Sequence, residues 1–283
     1  MSFDASLVGS TLPETVLEYR PEDTILYALG VGAGTDDLAY VFEGAAGGLQ
    51  AVPSFATLAP GISGAFLRRL GFDVARSLHG EHILTLHRPM PTEGLIRTRT
   101  EVVEVKERPS GTFVRFASRT MDETDHMVCD NRFLIIELPE TRPQREETAG
   151  AKAPDVGGEP PELEASATIP LSQALLYRLS GDRNPLHVDP AFARRAGFER
   201  PILHGLCTFG YVTRMLVRAA CGDDPNRLRK IGARFAAPVF PGDVLTVRAR
   251  HDEHRQLLFE AHTQAGPVLS HGMVVTTESL AVE

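Results

Sequence analysis

Tryptophan is absent from the 283 residues, and cysteine occurs only at positions 129, 207 and 221. Three thiols, odd in number, far apart and without a Cys-x-x-Cys spacing, exclude a disulfide scaffold, a zinc ribbon and a dithiol redox pair. They point to a reducing compartment. Apolar runs near the ~20 residues that a membrane helix needs are also missing, so no membrane partner is expected. Met1-Ser2-Phe3-Asp4-Ala5 carries no basic segment leading into an apolar run, and Ala281-Val282-Glu283 is not a Ser-Lys-Leu address. The expected location is therefore cytoplasmic. Positive charge is in deficit as well, 29 basic against 37 acidic residues for a net −8, which argues against a general attraction to nucleic acid.

What is present is globular: 42% hydrophobic and 23% charged residues, at a length that suits two domains of roughly 150 residues. Between Glu137 and Ser166 the periodicity gives way to proline, glycine and glutamate, as in Leu138-Pro139-Glu140 and Gly157-Gly158-Glu159-Pro160-Pro161, a composition typical of solvated linkers. The expected division is an N-terminal domain over 1–138, a linker over 139–165 and a C-terminal domain over 166–283. Both halves place helical patterns before alternating segments. In the second, Leu171, Leu175, Leu176 and Leu179 keep helical spacing, Leu206, Phe209, Val212, Met215, Leu216 and Ala219 mark a longer helix, and Leu245, Val247 and Ala249 alternate as in a strand. The first offers a helix around Ile62 to Asp73 and strands through Val103, Val105, Val114 and Phe116. Tyr27-Ala28-Leu29 matches Tyr177-Arg178-Leu179 at an offset of 150 (177 − 27), and Pro89 to Ile96 matches Pro238 to Leu245 at 149 (238 − 89). Near-equal offsets indicate an internal duplication.

Two clusters could carry chemistry. Ser180-Gly181-Asp182-Arg183-Asn184-Pro185-Leu186-His187 sets a carboxylate, an amide and an imidazole within six positions, where Asp182 and His187 could share the activation of a water. The same spelling also fits a turn in which Asp182 merely caps the next helix. Further on, Pro201-Ile202-Leu203-His204-Gly205-Leu206 opens the long helix. Its free N–H groups could face an anion or a polarised carbonyl. The competing reading makes Gly205 a packing residue and His204 a satisfied, partly buried histidine.

Tyr177 through Ala193, with Gly197-Phe198-Glu199-Arg200-Pro201-Ile202-Leu203-His204-Gly205 after it, closely resembles the signature of the MaoC-like, type 2 enoyl-CoA hydratases. The resemblance implies an α+β double hotdog, in which each repeat is a long central helix wrapped by an antiparallel sheet. It also implies a degenerate first repeat that accommodates the acyl chain. At offset 150, Gly32 and Gly34 stand where Asp182 and Asn184 do, and Asp37 stands where His187 does. Altering Asp37 is accordingly expected to act as a surface change. By this resemblance Asp182 and His187 activate the water and return a proton, Asn184 orients substrate or water, and Gly205 supplies a backbone donor to the thioester oxygen. Coenzyme A is then part of an acyl-CoA substrate, no separate cofactor is required, and the chain pairs as a homodimer. Where such two-domain members carry a glycine-rich stretch, this chain has Asn131-Arg132-Phe133-Leu134. The rival functions are a dehydratase on carrier-protein-bound 3-hydroxyacyl chains, a hotdog thioesterase and a non-catalytic acyl-thioester binding protein.

Other features are expected to be structural. Gly30-Val31-Gly32-Ala33-Gly34 lacks the spacing of a dinucleotide fingerprint. His79, His82, His87, His251 and His254 have no carboxylate or thiol partners at ligand spacing and are expected on strands facing solvent, with no metal site. Arg227, Arg229 and Lys230 are expected at a solvated sheet edge.

Overall fold

The computed structural model describes residues 5–140 and 160–277. Ten strands, β1 (Thr15–Tyr19), β2 (Ser77–Leu86), β3 (Gly94–Arg108), β4 (Gly111–Asp122), β5 (Met127–Glu137), β6 (Leu163–Thr168), β7 (Leu228–Phe235), β8 (Val244–His251), β9 (Leu257–Thr263) and β10 (Gly266–Thr276), form one sheet. Their spatial order is β1-β3-β4-β5-β2-β7-β10-β9-β8-β6, a palindrome in which each repeat runs outward from the centre. At that centre β2 and β7 pair antiparallel, with Glu81 opposite Arg234, Ile83 opposite Gly232 and Thr85 opposite Lys230. A strand edge left open exposes unpaired N–H and C=O groups. The union of β2 with β7 closes one such edge on each repeat. Of the expected linker, residues 141–159 lie outside the described residues, and β6 begins at Leu163 within its expected span.

Among the described residues there are six α-helices: α1 (Pro21–Gly30), α2 (Leu38–Val41), α3 (Gly64–Arg69), α4 (Gln173–Tyr177), α5 (Pro190–Arg195) and α6 (Gly205–Cys221). Every residue of α6 from Cys207 to Val217 is buried, as expected of a helix wrapped by its sheet. It stops at Gly222, whose left-handed φ of 63° glycine adopts without strain. The double hotdog stands, but the long central helix is intact only in the second repeat. Its counterpart is broken into a 3-10 helix over Pro53–Leu58 and the short α3. Pro60 and Gly61 interrupt it, Gly61 at φ 65°, and the Ser63 side chain then caps α3 by accepting from the Phe66 N–H at 3.2 Å.

Four sequence expectations need correction. The leucine spacing at 171, 175 and 179 marks an exposed face. The buried residues of α4 are Gln173, Ala174 and Tyr177, and the Gln173 side-chain amide donates to the Leu29 and Gly30 carbonyls. In β3 the buried side runs through Ile96, Thr98, Thr100 and Val102 and leaves Val103 exposed, and a register shift between Val102 and Glu104 brings Val105 back to the same core cluster; such bulges reverse the alternation locally. His82 does not face solvent: its ring is fully buried, packed on Phe133 and Phe209, with Nε2 2.9 Å from Asn131 Oδ1 and Nδ1 3.2 Å from His79. The half-buried His79 packs on Phe235 and Phe133. Finally, Arg229 and Lys230 open β7, an interior strand and not an edge, and Arg227 and Arg229 donate to the Cys221 and Asn226 carbonyls.

Candidate active site

After α4 the chain makes one 3-10 turn over Arg178–Ser180 and reverses at Gly181, whose φ of 125° favours glycine. This reversal presents Asp182. Its Oδ1 accepts from the Asn184 N–H at 3.1 Å, an Asx turn that leaves Oδ2 directed toward His187. Asn184 Oδ1 in turn caps the short 3-10 helix Pro185–His187 by accepting from the Leu186 N–H at 3.1 Å. The capping role that the sequence offered to Asp182 is thus divided: Asn184 caps this turn and Asp189 caps α5. Asn184 retains only its side-chain NH2 for other partners.

His187 is buried, and its Nδ1 lies 2.9 Å from the Ile202 carbonyl oxygen. A carbonyl only accepts, so Nδ1 carries the proton and Nε2 is a bare base. Burial lowers this imidazole below its ordinary value, against the opposing pull of Asp182 and the Ile202 carbonyl. Nε2 faces Asp182 Oδ2 at 4.0 Å. That separation is too long for a hydrogen bond and places two acceptors across a gap suited to one water donating to both.

The segment leading into α6 supplies the other wall. Leu203 N–H donates to the Val239 carbonyl at 2.7 Å, which fixes the approach of His204 and Gly205. Gly205 is the first residue of α6, whose leading N–H groups have no acceptor within the helix. A Cβ at Gly205 would lie 3.2 Å from the Phe235 ring, so the position is tight. His204 is 1% exposed, stacks on His187 with ring centroids 3.7 Å apart, and donates from Nε2 to the Asp182 backbone carbonyl at 3.1 Å. Its Nδ1 is buried without a partner among the described residues. His204 is therefore not the satisfied histidine that the sequence reading allowed. The signal that could have found it is its place immediately before Gly205.

Asp182, His187 and His204 offer ligand atoms within 4.8 Å of one another, close enough for a cation to bridge. The imidazole planes, however, lie 27° from parallel in a stack. Stacked rings aim their in-plane lone pairs side by side and not at one point, and each ring already donates one N–H to a carbonyl. This geometry suits proton chemistry better than metal coordination.

A wider concavity of about 880 Å³ lies on the outer face of the first repeat, lined among others by Arg97, Arg99, Arg115, Arg119 and Arg132 together with Glu14, Glu81 and Glu101. It contains none of the loop residues. Its charges pair across strands, as Arg99 with Glu14 and Arg115 with Glu81 and Glu104.

The second repeat of this double hotdog thus brings a carboxylate and an imidazole together beside the segment that opens α6. The chain belongs to the MaoC-like, type 2 enoyl-CoA hydratase family in its two-domain form, and it is an enzyme of the hydratase/dehydratase class. The model of the MFE-2 hydratase 2 N-terminal domain matches residues 17–137, and that of the MaoC like domain matches 152–273. Among relatives, 3-hydroxyacyl-thioester dehydratase Y of Mycobacterium tuberculosis is 34% identical over 285 residues, covering 97% of this chain and 98% of that protein. The peroxisomal enoyl-CoA hydratase 2 of Arabidopsis thaliana is 33% identical over 84% of each. The crystal structure of a MaoC-like dehydratase from Phytophthora capsici superposes with a TM-score of 0.82 at 27% identity, covering 96% of this chain and 97% of that one.

Proposed function

We propose that this chain catalyses the reversible hydration of trans-2-enoyl-CoA to (3R)-3-hydroxyacyl-CoA. The observation that carries this reading is the pair of acceptors, Asp182 Oδ2 and His187 Nε2, held 4.0 Å apart beside the N-terminus of α6. A water in that gap donates both hydrogens and turns a lone pair outward to C3 of the substrate. Its oxygen bonds to C3 while one proton passes to the Asp182/His187 pair, and the electrons of the double bond move onto the thioester oxygen as an enolate. The Gly205 N–H stabilises that oxygen. A proton returned from the pair to C2 completes the addition, and the reverse sequence is dehydration. Asn184 orients substrate or water through its side-chain NH2. Coenzyme A enters only as part of the substrate, and no step calls for a separate cofactor.

The first repeat, whose central helix is broken into a 3-10 helix and the short α3, is proposed to accommodate the acyl chain. Cytoplasmic location and a homodimer complete the proposal. Among the described residues no helix is long and apolar enough to cross a membrane. Absorbance at the enoyl thioester band tests the reaction, using short, long and ring-bearing enoyl-CoA substrates and a carrier-protein-bound counterpart. Turnover confined to the carrier-bound form would make the enzyme a carrier-protein dehydratase. Release of free thiol would make it a thioesterase, and binding without turnover a non-catalytic thioester-binding protein. Sedimentation and cell fractionation test the dimer and the location.

A further inference from the structure

His204 touches both His187 and the Asp182 backbone yet has no place in the reaction described above. Its ring lies flat on His187, its Nε2–H holds the Asp182 backbone carbonyl, and its own backbone is the N-cap of α6, one residue before Gly205. Tyr177 packs against it with ring centroids 4.9 Å apart. Leaving Nδ1 buried without a partner among the described residues is a penalty that an aromatic packing residue such as phenylalanine would avoid.

We propose that His204 is the positioning residue of this site: one side chain sets the His187 ring, through stacking, and the Asp182 loop, through its N–H, relative to the helix N-terminus that it caps. This assignment rests on the proposed hydratase reading for its kinetic arm only. The stack and the hydrogen bond act separately. The stack dries one face of His187 and fixes which edge of the imidazole meets the water. The hydrogen bond fixes the backbone from which the Asp182 carboxylate projects, and a carboxylate displaced by 1 Å forfeits much of its catalytic value. The charged and titratable groups that face His204 are His187 and Asp182 from the loop, and Arg178 and Tyr177 from α4 and the turn that follows it. Burial and the neighbouring His187 both lower the His204 imidazole, so it stays neutral beside the base.

Two substitutions divide the roles. His204→Phe keeps a flat ring on His187 and loses the N–H; His204→Gln keeps an N–H donor and loses the stack. The measurements are the His187 titration by NMR of its ring carbons, which needs no turnover, and kcat and KM for an enoyl-CoA, with a thermal melt for folding. In His204→Gln the His187 titration is expected to rise toward 6.5. In His204→Phe it is expected to stay at the wild-type value, while kcat falls on the order of tenfold to a hundredfold with KM little changed. An unmoved His187 titration in His204→Gln, or equal losses of kcat in both variants that follow only their melting temperatures, overturns the proposal. Should His204→Phe fail to fold, the titration of His204→Gln decides alone. Should the wild type turn over no thioester, the hydratase reading fails, and the titration still judges the positioning role.

Discussion

The loops at 32–37 and 182–187 occupy equivalent places in the two repeats and dispose of their carboxylates in opposite ways. In the first, Asp37 is 9% exposed and bonded by Arg214 at 2.9 Å and Arg218 at 3.3 Å, both from α6 of the other repeat. Arg214 also donates from Nε to the Val31 carbonyl at 3.3 Å. In the second, Asp182 is 30% exposed and no arginine neutralises it among the described residues; it faces a bare imidazole nitrogen across 4.0 Å. A carboxylate matched by guanidinium groups ties two repeats together. One held opposite another acceptor remains available to a water. Equivalent loops, with their carboxylates five positions apart in the alignment, thus serve cohesion in one copy and, in the proposed reaction, chemistry in the other.

The largest test of that contrast is Asp182→Asn, expected to lower turnover by about 10² to 10⁴, with His187→Ala comparable and both variants melting near the wild type. Asparagine preserves the Asx turn to Asn184, so near-normal turnover in a steady-state assay would reduce the loop to a turn. Gly205→Pro comes next. Proline is tolerated at the first helical position but removes the donor, and a loss of roughly 10² to 10³ in kcat is expected with a smaller change in KM. Because the Phe235 ring must give slightly, the melt is recorded beside the kinetics. Unchanged kcat would place the oxyanion donor elsewhere.

Asp37→Ala inverts the pattern. The sequence suggested a harmless surface change, but removal of this carboxylate strands the buried Arg214, and a loss of about 3 kcal/mol in denaturant unfolding is expected. Turnover of a short substrate should stay within about threefold while the protein is folded. A variant as stable as the wild type would show that the ion pair contributes nothing to cohesion. The smallest effect concerns pH. Burial lowers His82 to about 4 from 6.5, against a weaker pull from Asn131. It is therefore neutral in the folded chain, and its contribution is intact above pH 6.5 and lost as pH falls toward 4. By pH 5.5 the loss is on the order of 1 kcal/mol. His82→Gln, whose amide can still bond Asn131, should flatten the fall in denaturant midpoint between pH 7 and 5.5; an unchanged slope would assign the acid sensitivity to other histidines.

The duplication, the long helix and the polar loop were legible because each is written locally: a near-constant offset, an apolar spacing, and Gly-Asp-x-Asn-Pro-x-His with its turn-forming glycine and proline. What escaped was set by distant partners. Asp37 meets Arg214 across 177 positions of chain, and nothing near Asp37 in sequence announces an arginine. His82 alternates like a surface strand residue, and only the pairing of β2 with β7 puts it at the middle of a sheet under Phe209. The exposed leucines at 171, 175 and 179 show the converse, an apolar spacing left outside because the Gln173 face of α4 binds α1. His204 was visible as a residue, but its stack on His187 depends on how the chain returns after α5.

The glycine at 32 carries a further consequence. A Cβ there would lie 2.2 Å from the Tyr211 ring of α6, on a backbone already at φ 79°. Gly32→Asp would therefore not restore a second reactive pair. The space has been taken by a tyrosine of the working repeat, and reopening it would mean replacing Tyr211, reshaping the turn and releasing Asp37 from its arginines together. If the second copy alone is catalytic, as proposed, it also holds the first in its present form, and at this contact the two halves can change only as a pair.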